Sequence, residues 1–118
     1  MVGGRVSSND GQGGGGGLYI YGSPSTVISN LVLSQNMASG GGQGGALYAE
    51  TTTLLLTNLQ VSQNFSNQGG GLALVGSDVT LVNSTFVTND SVWPGTAIYN
   101  DNLLTIANTI VWEHYSDT

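Results

Sequence analysis

The stretch GGALYAETTTLLLTNLQVSQNFSN, running from Gly44 to Asn67, decides how the chain is read, because the rest of the sequence repeats it with variations. Its first apolar residue recurs as Leu18, Leu47, Leu72 and Ile98, at spacings of 29, 25 and 26 residues. Asn30, Asn58, Asn83 and Asn108 follow at 28, 25 and 25, and Asn9, Asn36, Asn64, Asn89 and His114 at 27, 28, 25 and 25. Three columns report one period, and a period of roughly 20 to 50 residues is the signature of a repeat array in which each unit buries its apolar face against its neighbours.

Each period carries short apolar runs separated by small or polar corners, the pattern of strands. The first unit reads LYIY (18–21), TVIS (26–29) and LVLSQ (31–35); the second LYA (47–49), LLLT (54–57) and LQVSQ (59–63). The third reads LALV (72–75), VTLV (79–82) and STFVT (84–88), and the fourth AIYN (97–100), LLTIA (103–107) and TIVWE (109–113). Alternation predicts three inward columns: Leu18, Leu47, Leu72 and Ile98; Ile28, Leu56, Leu81 and Ile106; Leu33, Val61, Phe86 and Val111. A helical reading fails, because the runs are short, β-branched residues and Gly abound, and Lys, Arg and Glu are scarce.

Three walls around a shared interior predict an all-β fold: a right-handed, single-stranded parallel β-helix of about four coils of ~25 residues, with three short strands each. The chain reads as a single domain, 1–118. Residues 1–17 are the end of a preceding coil plus a Gly-rich loop, in which Gly11 to Gly17 is a lengthened turn. The coils are 18–43, 44–68, 69–94 and 95–118.

Two kinds of column mark the corners. Gly15, Gly44, Gly69 and Gly95 lie three residues before the first strand of each coil, and Gly17, Ala46, Gly71 and Ala97 keep the position before it small. A corner with positive φ, or without room for a side chain, demands this. The two asparagine columns, Asn30, Asn58, Asn83, Asn108 and Asn9, Asn36, Asn64, Asn89, are predicted to be structural ladders whose amides bond along the axis at tight corners.

Composition narrows the function. One Arg, no Lys and seven carboxylates give a net charge of -6. No basic surface is available to neutralise phosphates, so nucleic acid is excluded as an expected partner and anionic membranes are disfavoured. Only 7% of residues are charged; solubility rests on Ser, Thr, Asn, Gln and Gly, which suits an extracellular or cell-surface location. With no cysteine there is no disulfide or thiolate chemistry. Residues 1–17 lack the apolar core of a signal peptide, and no run is long enough for a transmembrane segment.

GGAL (44–47) and GGGL (15–18 and 69–72), paired with FVTN (86–89), resemble the GGA(I/L/V) and FxxN repeats of the polymorphic outer membrane proteins of chlamydiae. Those repeats occur in bacterial surface proteins built as right-handed parallel β-helices, and the resemblance runs from about Val6 to His114. It implies the same architecture here and a surface role. Phe86 alone supplies the Phe, with Val6, Leu33 and Val61 in the other coils.

Catalytic chemistry is not expected. Asp10, Glu50, Asp78, Asp90, Asp101, Glu113 and Asp117 never adjoin as acid pairs, and Arg5 and His114 are the only basic side chains. Glu50 and Asp78 sit at one corner of successive coils, the one place where a polysaccharide lyase-like pair is conceivable. His114 replaces the last Asn of a ladder, which makes it a corner residue and not a metal ligand. No metal and no cofactor are expected. Outside the first strand, Tyr19, Tyr48, Ala73 and Tyr99 form a column that either stacks on sugar rings, making a carbohydrate-binding face, or stacks on itself. The sequons at Asn64, Asn83 and Asn89 fall on the ladder columns and read as buried chance matches.

The ladder from Asn9 to His114 returns to its starting phase after four turns, a body about 20 Å tall at ~4.8 Å per coil with an open edge at each end. Two readings follow: a segment of a longer surface adhesin or autotransporter passenger, or head-to-tail stacking of copies through Val6, Val111 and Trp112. The expected partner is therefore a second copy of the chain, with polysaccharide as the alternative, and the expected role is a non-catalytic structural or adhesive solenoid.

Overall fold

Ile28 and Leu33 are both predicted to face inward, yet their separation of five residues is odd, and strict alternation would put them on opposite faces. The computed structural model, which describes residues 2–112 and 114–116, resolves the conflict at Asn30. This residue has φ +57°, and Asn58, Asn83 and Asn108 repeat the left-handed conformation at +52°, +53° and +47°. One left-handed residue reverses the phase of the pleat, so Ile28 and Leu31, which flank it, both enter the core. Asn tolerates that conformation better than any other residue with a side chain.

The first coil is preceded by β1 (Val2–Ser7) and β2 (Asp10–Gly14), and consists of β3 (Leu18–Tyr21), β4 (Thr26–Ser34) and β5 (Met37–Gln43). The second is β6 (Leu47–Glu50), β7 (Thr53–Ser62) and β8 (Phe65–Ser66); the third β9 (Leu72–Val75), β10 (Asp78–Val82), β11 (Thr85–Val87) and β12 (Asp90–Ser91). The fourth is β13 (Ile98–Asn100), β14 (Leu104–Ala107), β15 (Ile110–Trp112) and β16 (Tyr115–Ser116). They form three sheets in which every strand pairs in parallel with its equivalent one coil away. Sheet A runs β1-β4-β7-β10-β14, with β11 and β15 continuing it beyond the asparagine bend; sheet B runs β2-β5-β8-β12-β16 and sheet C β3-β6-β9-β13.

The three-walled solenoid is as expected, but two of its walls are not where the sequence placed them. The predicted second and third strands are one wall: Thr26–Ser34 and Thr53–Ser62 are continuous strands merely bent at Asn30 and Asn58. The third wall is sheet B, and it takes in part of the glycine tract that composition assigned to a turn. Asp10–Gly14 pairs with Met37–Gln43, with a register shift between Gln12 and Gly14. Glycine has no intrinsic strand preference, and it is the ladder to β5 that holds this segment extended.

Leu47, Leu72, Leu56, Leu81, Leu33, Val61 and Phe86 are fully buried, joined by Leu31, Leu59, Leu54, Leu74 and Val79 in one cluster. Burying a Leu or Phe side chain contributes about 1.5–3 kcal/mol, realised only when coils lie both above and below. The last coil shows the consequence. Ile106 and Val111 belong to inward columns, yet each is 47% exposed, because among the described residues no further coil lies over them.

Candidate functional site

The ladder of Asn9, Asn36, Asn64 and Asn89 lies at the corner between sheets A and B, with Asn36, Asn64 and Asn89 buried. The amide nitrogens of the ladder's first three residues donate to the Oδ1 one coil on: Asn9 to Asn36 at 3.0 Å, Asn36 to Asn64 at 3.1 Å, Asn64 to Asn89 at 2.8 Å. The same oxygens accept the backbone N–H of Asn9, Asn36 and Asn64. The second amide hydrogen goes back to a carbonyl, from Asn36 to Val6, from Asn64 to Leu33 and from Asn89 to Val61, at 2.9, 3.0 and 2.9 Å. Asparagine fits because it offers one acceptor and two donors on a short arm. The preceding residues Ser8, Gln35, Gln63 and Thr88 are all left-handed, which turns the chain so that the amide points inward.

His114 takes the last rung. Its Nδ1 accepts the Asn89 N–H at 3.2 Å and its Nε2 faces the Phe86 carbonyl at 3.1 Å. A neutral ring with its proton on Nε2 satisfies both, so the imidazole reproduces two of the three functions of the amide it replaces.

Asn30, Asn58, Asn83 and Asn108 are exposed on the outside of the bend. Asn58 donates to Oδ1 of Asn30 at 3.0 Å, and the column's shared property is its left-handed backbone. The three sequons therefore differ: Asn64 and Asn89 are buried, whereas Asn83 is on the surface, contrary to the expectation that all three are hidden.

The corner glycines Gly15, Gly44, Gly69 and Gly95 have φ of +65°, +69°, +68° and +92°. A Cβ on Gly44 would stand 2.3 Å from the Leu47 carbonyl oxygen, so neither conformation nor space admits a side chain.

On the outer face of sheet C, Tyr19 and Tyr48 are register partners with ring centroids 5.2 Å apart and planes 8° from parallel. Tyr21, which the column analysis passed over, lies 6.5 Å from Tyr19. Tyr99 is not brought to this group, because fully buried Ala73 occupies the register position between Tyr48 and Tyr99. The Tyr19 hydroxyl donates to Glu50 at 3.0 Å. Partial burial first, and then the Glu50 carboxylate, raise the pKa of Tyr19 above the ordinary phenol value, and Tyr48 is raised by burial and by the same carboxylate.

Glu50 and Asp78 are not a pair. Glu50 is the register partner of Val75 in sheet C, whereas Asp78 is paired with Thr53 in sheet A and accepts from the Asn102 amide at 2.9 Å. Asp101 accepts the Gly76 N–H and Arg5 reaches Ser34. Glu113 and Asp117 lie outside the described residues. Among the described residues no three His, Asp or Glu side chains converge as a metal site. Val6 is half-buried against the first coil, while Trp112, beside Val111, is exposed. No helix of the structure is long and apolar enough to cross a membrane.

Three parallel sheets wound coil on coil around an asparagine-laddered core define a parallel β-solenoid. The model of the right-handed β-helix region matches residues 3–117, and the chain belongs to that family. No curated protein and no solved structure matches it.

Proposed function

We propose that the chain is a non-catalytic structural module of an extracellular or cell-surface protein, a stiff solenoid that lengthens by stacking head to tail on a second copy. The observation that carries this reading is the exposed end of the core: Ile106 and Val111, whose column equivalents are buried in the preceding coils, stand open on coil four beside Ile110 and Trp112. An apolar interior that ends uncovered calls for another coil, and parallel edges pair with strands of the same repeat. Sparse charge and the likeness to repeats of chlamydial surface proteins support the surface location.

Stacked in register, Asn9 of the next copy sits over His114, Val6 over Val111, β1 over β15 and β2 over β16. The ladder of each copy has five rungs, Asn9, Asn36, Asn64, Asn89 and His114. The axial repeat is therefore about 24 Å at ~4.8 Å per rung, not the ~20 Å of a four-coil count. Sheets A and B are five strands deep and sheet C four, so the join lacks one strand of sheet C and is weaker than an internal coil-to-coil contact. Such heterologous contact is open-ended and gives filaments.

Electron microscopy of the purified chain across a dilution series tests this. Fibres with a ~24 Å axial repeat that shorten on dilution are expected, and Val111→Asp is expected to abolish them. Monodisperse monomers at all concentrations would overturn the proposal; amorphous aggregate would instead favour coverage of the open coil by further coils of a longer β-helix.

A further inference from the structure

The outer face of sheet C carries a cleft that the structural role does not use. Tyr19 and Tyr48 form one wall, and Gln12, Gly13 and Gly14 line the other, enclosing about 240 Å³. The second wall is the end of β2, where the register with β5 shifts: Gln12 pairs with Ser39 and Gly14 with Gln43, so β5 carries the extra residues and Gly14 is left close against Tyr48. Contact is close: a Cβ on Gly14 would lie 2.8 Å from Cδ1 of Tyr48. Tyr21 extends the aromatic surface past Tyr19, and these two rings are 67% and 55% exposed. At the phenol end stands Glu50, held by the Tyr19 hydroxyl.

We propose that this cleft binds a neutral pyranose unit of a polysaccharide. A sugar ring has an apolar C–H face that packs on an aromatic ring and a rim of hydroxyls that need polar partners. Tyr19 and Tyr21 offer exposed aromatic surface, while the Gln12 side-chain amide and the Glu50 carboxylate offer donors and acceptors near it. The volume falls below the ~300 Å³ at which pockets take drug-sized ligands, so the cleft holds one or two rings and the rest of a polymer lies outside. Charge selects among sugars. The chain carries a net charge of -6 and places a carboxylate at the cleft, which repels uronate and sulfated polymers. Binding is non-covalent and a single copy suffices, so the site stands or falls independently of filament formation.

Affinity electrophoresis in gels containing hydroxyethylcellulose, galactomannan or polygalacturonate tests the assignment. Retardation by at least one neutral polymer and none by polygalacturonate is expected. Tyr19→Ala and Tyr21→Ala should each weaken retardation at least 10-fold with an unchanged circular dichroism spectrum, and Tyr99→Ala should leave it intact. The proposal is overturned if neither neutral polymer retards the chain, if polygalacturonate binds instead, or if Tyr99→Ala weakens binding as much as Tyr19→Ala. Gly14→Val adds a second check: filling the cleft against Tyr48 should abolish retardation even in variants whose melting is cooperative, and retention of binding there also counts against the site.

Discussion

The side-chain amide of Asn64 donates to Oδ1 of Asn89 at 2.8 Å inside the solenoid, where neither residue touches solvent. The Oδ1 of Asn64 in turn receives both the backbone N–H and the side-chain amide of Asn36. Every polar atom of the Asn64 side chain is satisfied by a neighbouring coil, so the ladder cements coils to one another more than it stabilises any coil by itself.

Replacing Asn64 with Ala strips the acceptor from two Asn36 donors and the donor from the Leu33 carbonyl. With the Asn36 N–H and the Leu33 carbonyl stripped of this partner, and the Asn36 amide keeping only its bond to Val6, we expect a loss of about 2–4 kcal/mol, read from the urea midpoint. Asn58, exposed on the bend, needs only its backbone conformation. Asn58→Gly should be within about 0.5 kcal/mol of the parent, and Asn58→Ala should lose about 1–2 kcal/mol.

Gly44 and Gly22 both have positive φ, +69° and +65°, but differ in space. Nothing lies within 4 Å of a Cβ built on Gly22, whereas one on Gly44 overlaps the Leu47 carbonyl. Gly22→Ala should cost about 1–2 kcal/mol, the strain of the left-handed conformation alone. Gly44→Ala should exceed about 4 kcal/mol, enough to prevent cooperative thermal melting in a domain of ordinary marginal stability.

At the last rung, His114→Asn should melt within a few degrees of the parent, since an amide oxygen can accept the Asn89 N–H and an amide nitrogen can reach the Phe86 carbonyl. His114→Ala leaves both groups unpaired and should cost about 1–2 kcal/mol at this partly buried end. Equal destabilisation by the two substitutions would show that the imidazole has a role outside the ladder.

The raised phenols of Tyr19 and Tyr48 make stability fall in alkali. Between the unfolded and the higher folded pKa the native state holds protons that the unfolded chain has released, so stability is full below the ordinary phenol value near 10 and declines as pH rises through the folded values. Spectrophotometric titration of the five tyrosines should show a late-ionising fraction. In Glu50→Gln that fraction should ionise earlier, since the carboxylate that opposes a second negative charge is gone.

Much of the molecule was legible from its period. The spacing of Leu47 and Leu72, and of Asn64 and Asn89, recurs because parallel pairing in register puts equivalent residues one above another, so columns in the sequence are columns in space. The Asn30, Asn58, Asn83 and Asn108 column was legible as left-handed corners between strands; that these residues bend one wall and reverse the phase of its pleat was not. Less legible was sheet B. Asp10–Gly14 and Phe65–Ser66 have too little apolar content, or too little length, to announce a strand; they are extended only because a neighbouring coil supplies the other half of each hydrogen bond.

The candidate cleft divides in the same way. Tyr19 and Tyr48 were visible as a column, and Ala73 as its interruption. Tyr21 and the wall of Gln12 to Gly14 were not, because Tyr21 is paired with Glu50 and has no aromatic counterpart one coil on, and the wall lies in a glycine tract held extended only by its pairing with β5.

The sequence by itself determined the coil, its period and the residues stacked in each column, since these follow from chemical identity repeated at fixed spacing. Only the tertiary structure decided which of two look-alike asparagine columns is buried and bonded and which is exposed. The difference lies in where the left-handed residue falls: at Asn30, Asn58, Asn83 and Asn108 it is the asparagine itself and the side chain turns outward, while at Asn36, Asn64 and Asn89 it is the residue before, and the amide turns into the core.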